Sequence, residues 1–201
     1  MEFNGTFELD GVTVEEAWLA LSDPVMIRHA LPGCQFLTAV DDPDDVDFDA
    51  LAEAATPADE LPPVLPEAEP EAVADRAFET GETYAAVMEV GVGSVKPTFR
   101  TLVTIESRDY PEMVASGEGS ASSSSFEMRS GMTLSESDTG VTVEWWSESD
   151  VFGRVAQMGQ RVLNPVANQV VNRFFKQVQN QLADLGEQEG SGLRDRIKSM
   201  L

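Results

Sequence analysis

Two periodicities follow each other in this chain, and together they limit what it can fold into. From Tyr84 to Trp145 apolar and polar residues alternate. Tyr84, Ala86, Met88 and Val90 share one parity, as do Phe99, Val103 and Ile105. The same holds for Phe126, Met128, Met132 and Leu134, and for Val141, Val143 and Trp145. A period of two with one polar face predicts antiparallel strands packed on one side and wet on the other. The period then changes. Val162, Val166, Val170, Phe174, Val178 and Leu182 recur every four residues, which predicts one long amphipathic helix. Pro165 lies near its start, so the helix either begins or kinks there, and Gly186 is a stop signal.

The N-terminal part supplies further elements. Phe3, Phe7 and Leu9 lie on one face of a first strand. Thr13-Val14-Glu15-Glu16 is a capping-box pattern that opens a helix bearing Val14, Ala17, Trp18 and Leu21. Asp23-Pro24 opens a second short helix that ends at Leu31-Pro32-Gly33. The order is then a strand, two short helices, about six strands and one long helix. That is an α+β layout of the helix-grip, START-like kind, with a curved antiparallel sheet wrapped around a long C-terminal helix. A curved sheet and one helix leave space between them, so a cavity is expected.

Charge is distributed unevenly. The 201 residues include 36 acids and 13 bases, for a net charge of −23. Residues 41–75 hold 13 of the acids, no base, and six of the eleven prolines. This stretch reads as a solvated insertion in a single domain of residues 1–185, or as a partner-docking segment using Phe48, Leu51, Val64 and Leu65. Within it, Val46–Ala55 has helical spacing. Residues 151–201, by contrast, carry seven bases and four acids. Ten of the thirteen bases are Arg. Many carboxylates with few lysines fit the salt-adapted surface of a halophile.

Composition excludes several functions. One cysteine rules out an internal disulfide framework and a cysteine-cluster metal site. Phosphate backbones need clustered cations, so no nucleic-acid partner is expected. No basic-then-apolar leader and no 18-residue apolar run occur, which predicts a cytoplasmic protein, at most peripheral on the inner face of the cell membrane. No catalytic set is expected either. His29 and Cys34 are each the single residue of their type, and His29 has no acidic neighbour in sequence to orient it. There is no nucleophile-elbow sequence and no zinc ligand set. The glycines at 91 and 93 lack the following helix and the Lys-Ser pair of a phosphate loop, so residues 91–94 read as a hairpin turn.

Four segments carry a family resemblance: LSDPVMIRHALPGC at 21–34, MEVGVGSVKPTFR at 88–100, SGEGSAS at 116–122, and GRVAQMGQRVL at 153–163 with the later Phe174-Phe175. In this order and spacing the chain resembles CoxG, a carbon monoxide dehydrogenase accessory family with a START-like fold. It departs from the family pattern in the long acidic 41–75 stretch, at Pro97 and Thr101, and at Pro165. The resemblance implies a non-enzymatic accessory protein that links a molybdenum-hydroxylase-type CO dehydrogenase to the membrane. A lipophilic quinone or other lipid is the implied cargo, with no covalent cofactor.

Strand methionines are adaptable, polarizable lining for such a cargo. The expected ligand-binding residues are Met88, Phe99, Val103, Met113, Phe126, Met128, Met132 and Trp145 from the strands. Met158, Val162, Val166 and Phe174 join them from the helical region. Head-group contacts are expected from Thr101 or from residues 120–125. After a linker beginning at 186, the tail LRDRIKSML is a short basic amphipathic segment. Leu193, Arg194, Arg196, Ile197, Lys198 and Leu201 are expected to contact a membrane or partner, unless the tail is disordered. Two alternatives remain at this level: a small enzyme of the polyketide cyclase or dehydratase type, and a protein-interaction module.

Overall fold

The computed structural model describes residues 1–91, 96–185 and 193–200. Strand β1 (Glu2–Asp10) is followed by helices α1 (Val14–Leu21) and α2 (Pro24–Ala30), then by β2 (Cys34–Val40). Two short helices follow, α3 (Phe48–Ala54) and α4 (Pro70–Ala74). A meander of β3 (Thr83–Glu89), β4 (Thr98–Asp109), β5 (Glu112–Ala121), β6 (Ser124–Glu136) and β7 (Gly140–Gly153) leads to α5 (Gln160–Leu182) and α6 (Leu193–Lys198). The seven strands form one antiparallel sheet in the order β1-β7-β6-β5-β4-β3-β2. The chain therefore passes from one sheet edge to the other through α1 and α2. This is the helix-grip layout expected from the two periodicities. Six strands, β2 to β7, follow the two short helices, although β2 itself is not among the strands that the alternation marks.

The helix starts follow their capping chemistry. Thr13 Oγ1 accepts from the Glu16 amide at 3.2 Å, and the Glu16 carboxylate accepts from the Thr13 amide at 2.8 Å. Asp23 Oδ1 accepts from the Val25 amide at 2.9 Å, with Pro24 at the first helical position. Pro165 lies inside α5, which begins before it at Gln160. The expected turn at 91–94 falls mostly outside the described residues, as do the Gly186 stop and the linker.

Sheet curvature has a side-chain signature at two cross-strand pairs. Gly119 faces Phe126, and Gly131 faces Trp146. A Cβ at Gly131 would lie 2.7 Å from the Trp146 ring, and one at Gly119 would enter the Phe126 ring. Each aromatic side chain thus lies flat over the strand next to it and occupies the space a side chain would have taken.

The 41–75 stretch does not float in solvent. Phe48 and Leu51 of α3, with Val46 and Ala55, pack on Phe36, Ala85 and Val87. These lie on the convex face, so that face is covered over β2 and β3 rather than wet throughout. Further along, Val64, Leu65 and Val73 are buried in the main core beside Trp18, Leu19 and Met26. Arg76 closes the segment. Its guanidinium makes a bidentate pair with Asp23, Nε to Oδ1 at 2.9 Å and a terminal nitrogen to Oδ2 at 2.7 Å, and also donates to the Pro63 carbonyl at 2.8 Å. The Asp23 side chain is 1% exposed and that of Arg76 23%.

Removing one partner of a buried pair leaves the other charge unsolvated. Arg76→Ala is expected to lower the unfolding free energy by about 3 kcal/mol in urea titration, whereas the combined Asp23→Asn, Arg76→Met variant loses less. Equal losses in the two variants would refute this account of the pair.

Candidate ligand site

Register places the expected strand residues on one face of the sheet. Three rows cross it. In the first, Met113 pairs with Met132, and Met132 with Trp145. In the second, Val103 pairs with Gly117, Gly117 with Met128, and Met128 with Ser149. In the third, Thr101 pairs with Gly119, Gly119 with Phe126, and Phe126 with Val151. Met88 pairs with Phe99 at the same end. Phe7, Leu9, Val141 and Val143 share this face and are packed in the main core with Phe175, Val178 and Leu182, so it is the concave side gripped by α5.

The rows differ in what covers them. Met113 is buried in the main core, and Met132, Trp145 and Phe174 pack against it. At the opposite end Phe99, Val155 and Leu163 form a separate cluster, joined by Phe126, Met158 and Val166. The Phe99 and Phe126 rings meet edge to face, with centroids 5.3 Å apart. Between the clusters lies the second row, where Val103 and Met128 are half-buried and, among the described residues, belong to neither. Glycine at 117 keeps that row low: a Cβ there would sit 3.0 Å from Met128 Cε and 3.4 Å from Val103 Cγ2.

Val162 departs from its expected place. It is 36% exposed and faces solvent. The reason is helical geometry: a strict four-residue repeat advances about 40° per step around a 3.6-residue helix. From Leu182 back to Val162 the stripe turns by about 200°, so its two ends cannot face the same sheet. Val178 and Leu182 are buried, Val166, Val170 and Phe174 are half-buried, and Leu163 takes the inward role in the first turn.

Along these rows the polar groups are hydroxyls, while Arg108, opposite Met113, is turned onto the Trp18 ring and donates to Ser22 Oγ at 3.1 Å. Ser130 Oγ donates to Ser147 Oγ at 2.8 Å, and Ser147 lies 3.2 Å from Ser149 Oγ. Thr101 is 2% exposed, and its hydroxyl has no hydrogen-bond partner among the described residues. A buried unpaired hydroxyl is costly, which singles out this position. The ionisable residues Glu118, Glu127, Arg129 and Glu144 have the opposite parity and lie on the convex face. The expected 120–125 segment contributes differently: Ser124 Oγ accepts from the Val155 amide at 3.0 Å and is committed to the chain turn.

The tail sits where its sequence pattern does not predict. Ile197 is 1% exposed and belongs to the main core. Arg194 donates to Glu16 at 3.0 Å and to the Gly11 carbonyl at 3.2 Å. Arg196 pairs with Glu69 at 2.7 Å and with Glu71. The apolar side of α6 is thus turned inward onto α1 and α4, and contact with a membrane through it requires α6 to leave them. Lys198 is exposed, while Leu201 and the Leu193 side chain lie outside the described residues.

No metal-holding group of three or more His, Cys, Asp or Glu side chains occurs among the described residues. No described helix is long and apolar enough to cross a membrane. Cys34 opens β2, and its thiol donates to the Phe36 carbonyl at 3.3 Å. Burial pushes the thiol up to about 11, against a smaller opposing effect of Arg28. The thiolate is therefore scarce at neutral pH and forms only as pH rises towards that value. Iodoacetamide alkylation of the native protein should accelerate about tenfold per pH unit up to a midpoint near 11. A midpoint at the free-thiol value of about 8.5 would contradict this.

Comparison with known proteins adds three findings. The profile of the carbon monoxide dehydrogenase CoxG family matches residues 75–183. A conserved protein from Geobacillus kaustophilus superposes with a TM-score of 0.65 at 22% identity, covering 92% of this chain and 96% of its own. A protein from Chromobacterium violaceum superposes with a TM-score of 0.51 at 9% identity, covering 90% and 96%. These likenesses concern the fold. Among curated proteins no match is found.

Proposed function

The chain belongs to the carbon monoxide dehydrogenase CoxG family, and from that premise we propose that it is a non-catalytic accessory protein that binds one lipophilic molecule, a quinone or other lipid, on the concave face. In this reading it serves a molybdenum-hydroxylase-type CO dehydrogenase at the membrane surface. The observation that carries the proposal is the split core: two apolar clusters separated by the half-buried row Val103, Gly117, Met128. An apolar chain laid along that row would extend both clusters, gaining about 0.8 kcal/mol per buried methylene. Phe99, Phe126, Met158 and Val166 would close over one end, and Met132, Trp145 and Phe174 would meet the other.

Thr101 supplies the polar feature such a ligand requires. Its unpaired hydroxyl lies beside the Gly119–Phe126 pair, where a shift of the Phe126 ring would open it to a ligand carbonyl. A hydrogen bond formed there removes a desolvation cost the empty protein carries. Hydroxyls rather than carboxylates on this face support binding over acid–base chemistry, which needs a titrating pair within reach of the substrate.

Solvent extraction of the protein purified from its native host, followed by mass spectrometry, should recover one lipophilic molecule per chain. Met128→Lys should reduce that occupancy by roughly tenfold or more, because a buried ammonium disfavours an apolar neighbour, while leaving the cooperative melting transition in place. Extraction of wild-type protein that yields neither quinone nor lipid would sink the proposal.

A further inference from the structure

At the β2 edge of the sheet, α2, the start of β2 and α5 line a cleft of about 610 Å³. Its charge is opposite to that of the chain. Arg28 and His29 come from α2, and Arg173, Lys176, Gln177 and Asn180 from α5; among the described residues no Asp or Glu lines it. The chain carries 36 acids against 13 bases, yet three of those bases converge here from segments more than a hundred residues apart. The four α5 residues follow the i, i+3, i+4, i+7 spacing of a single helix face. That face points away from the one carrying Phe175, Val178 and Leu182, and the cleft shares no lining residue with the proposed lipid surface.

Arg28 is held in place without a carboxylate partner among the described residues. Arg28 donates to the carbonyls of Gln35 at 3.0 Å and Thr56 at 2.6 Å. Both acceptors are neutral carbonyls, so the guanidinium is positioned without an opposing charge from either. Among the described residues no carboxylate makes an ion pair with Arg28, Arg173 or Lys176. The arginines at 76, 100, 129, 194 and 196, by contrast, all have carboxylate partners. Leu31, Pro32 and Leu61 supply an apolar wall. A concave surface with converging cations focuses potential locally even on an acidic protein.

We propose that this cleft binds a phosphate ester, with Arg28, Arg173 and Lys176 holding the phosphate, Gln177 and Asn180 donating further hydrogen bonds, and Leu31, Pro32 and Leu61 covering the organic part. Guanidinium forks match phosphate geometry, and an ammonium adds a point charge beside them. The volume is within the range of small-molecule sites, roughly 300–1,000 Å³. The ester could be a free metabolite or the head group of an anionic lipid, since both present the same phosphate.

Two probes separate these sources: glycerol 3-phosphate in solution, and vesicles of phosphatidylglycerol in phosphatidylcholine. Amide and arginine-side-chain NMR of the full chain would follow the first, and co-sedimentation the second. Saturable shifts confined to the cleft with glycerol 3-phosphate support a free ester, and vesicle binding without such shifts supports a head group. In either case Arg173→Ala, Lys176→Ala should weaken binding roughly tenfold or more, Lys176→Gln should weaken it less, and Arg154→Ala, outside the cleft, should change it by less than about twofold. The α5 residues are exposed, so these variants should fold, and an unchanged melting temperature verifies that they do. Failure of both probes to bind, or equal binding by the double variant and wild type, would overturn the assignment.

Discussion

One helix cannot cover seven strands, and most of this architecture follows from that mismatch. Strands lie about 4.8 Å apart, so seven span about 29 Å across the sheet. A helix with its side chains is about 10 Å wide. Helix α5 packs against the β1 edge, where the Phe175 ring stacks on Phe7 with centroids 5.2 Å apart, and leaves apolar surface of the sheet for other parts of the chain to cover. At one end of the molecule the deficit is made up by other parts of the chain. Trp18 and Leu19 from α1, Leu65 and Val73 from the acidic segment, and Ile197 from α6 all enter the same core. At the other end the described residues form a small cluster around Phe99 and Leu163. The thinly covered row between them is a direct result of this division.

Holding added pieces onto an acidic framework requires cations, and the chain has few. Arginine does this work in each case. Arg76 fastens the 41–75 segment to Asp23, Arg100 ties α3 to β4 through Asp49, and Arg194 and Arg196 fasten α6 to Glu16 and to α4. These pairs differ in strength. Asp23 and Glu16 are buried, so their pairs resist screening by salt, whereas Arg100–Asp49 and the Arg196 pairs are exposed and contribute little individually.

Much of this is legible in the sequence, and the failures have physical causes. Alternation fixes the parity of β3, β4, β6 and β7, and so which residues share the concave face. The capping box at Thr13 and the Asp23-Pro24 start follow from residue chemistry alone. Strand β2 escapes because it lacks alternation: Phe36 faces α3 on the convex side while Leu37 packs towards the main core, so adjacent apolar residues are both covered. The acidic segment looks solvated because its charge masks a few buried residues, Val64, Leu65 and Val73. The tail is amphipathic as its spacing predicts, but an apolar face does not specify what it packs against. The cationic cleft has no sequence signature, because Arg28 and Arg173 become neighbours only in the folded chain.

The flat-lying aromatic rings bear on how this sheet can vary over time. At Gly119–Phe126 and Gly131–Trp146 the volume of two side chains has been assigned to one. Enlarging either glycine alone collides with a ring, and shrinking either ring alone leaves a hole over bare backbone. Neutral drift at these sites therefore has to be reciprocal. A descendant could exchange the sizes of the two partners while conserving their sum, and each pair would register as a single correlated unit spanning two strands.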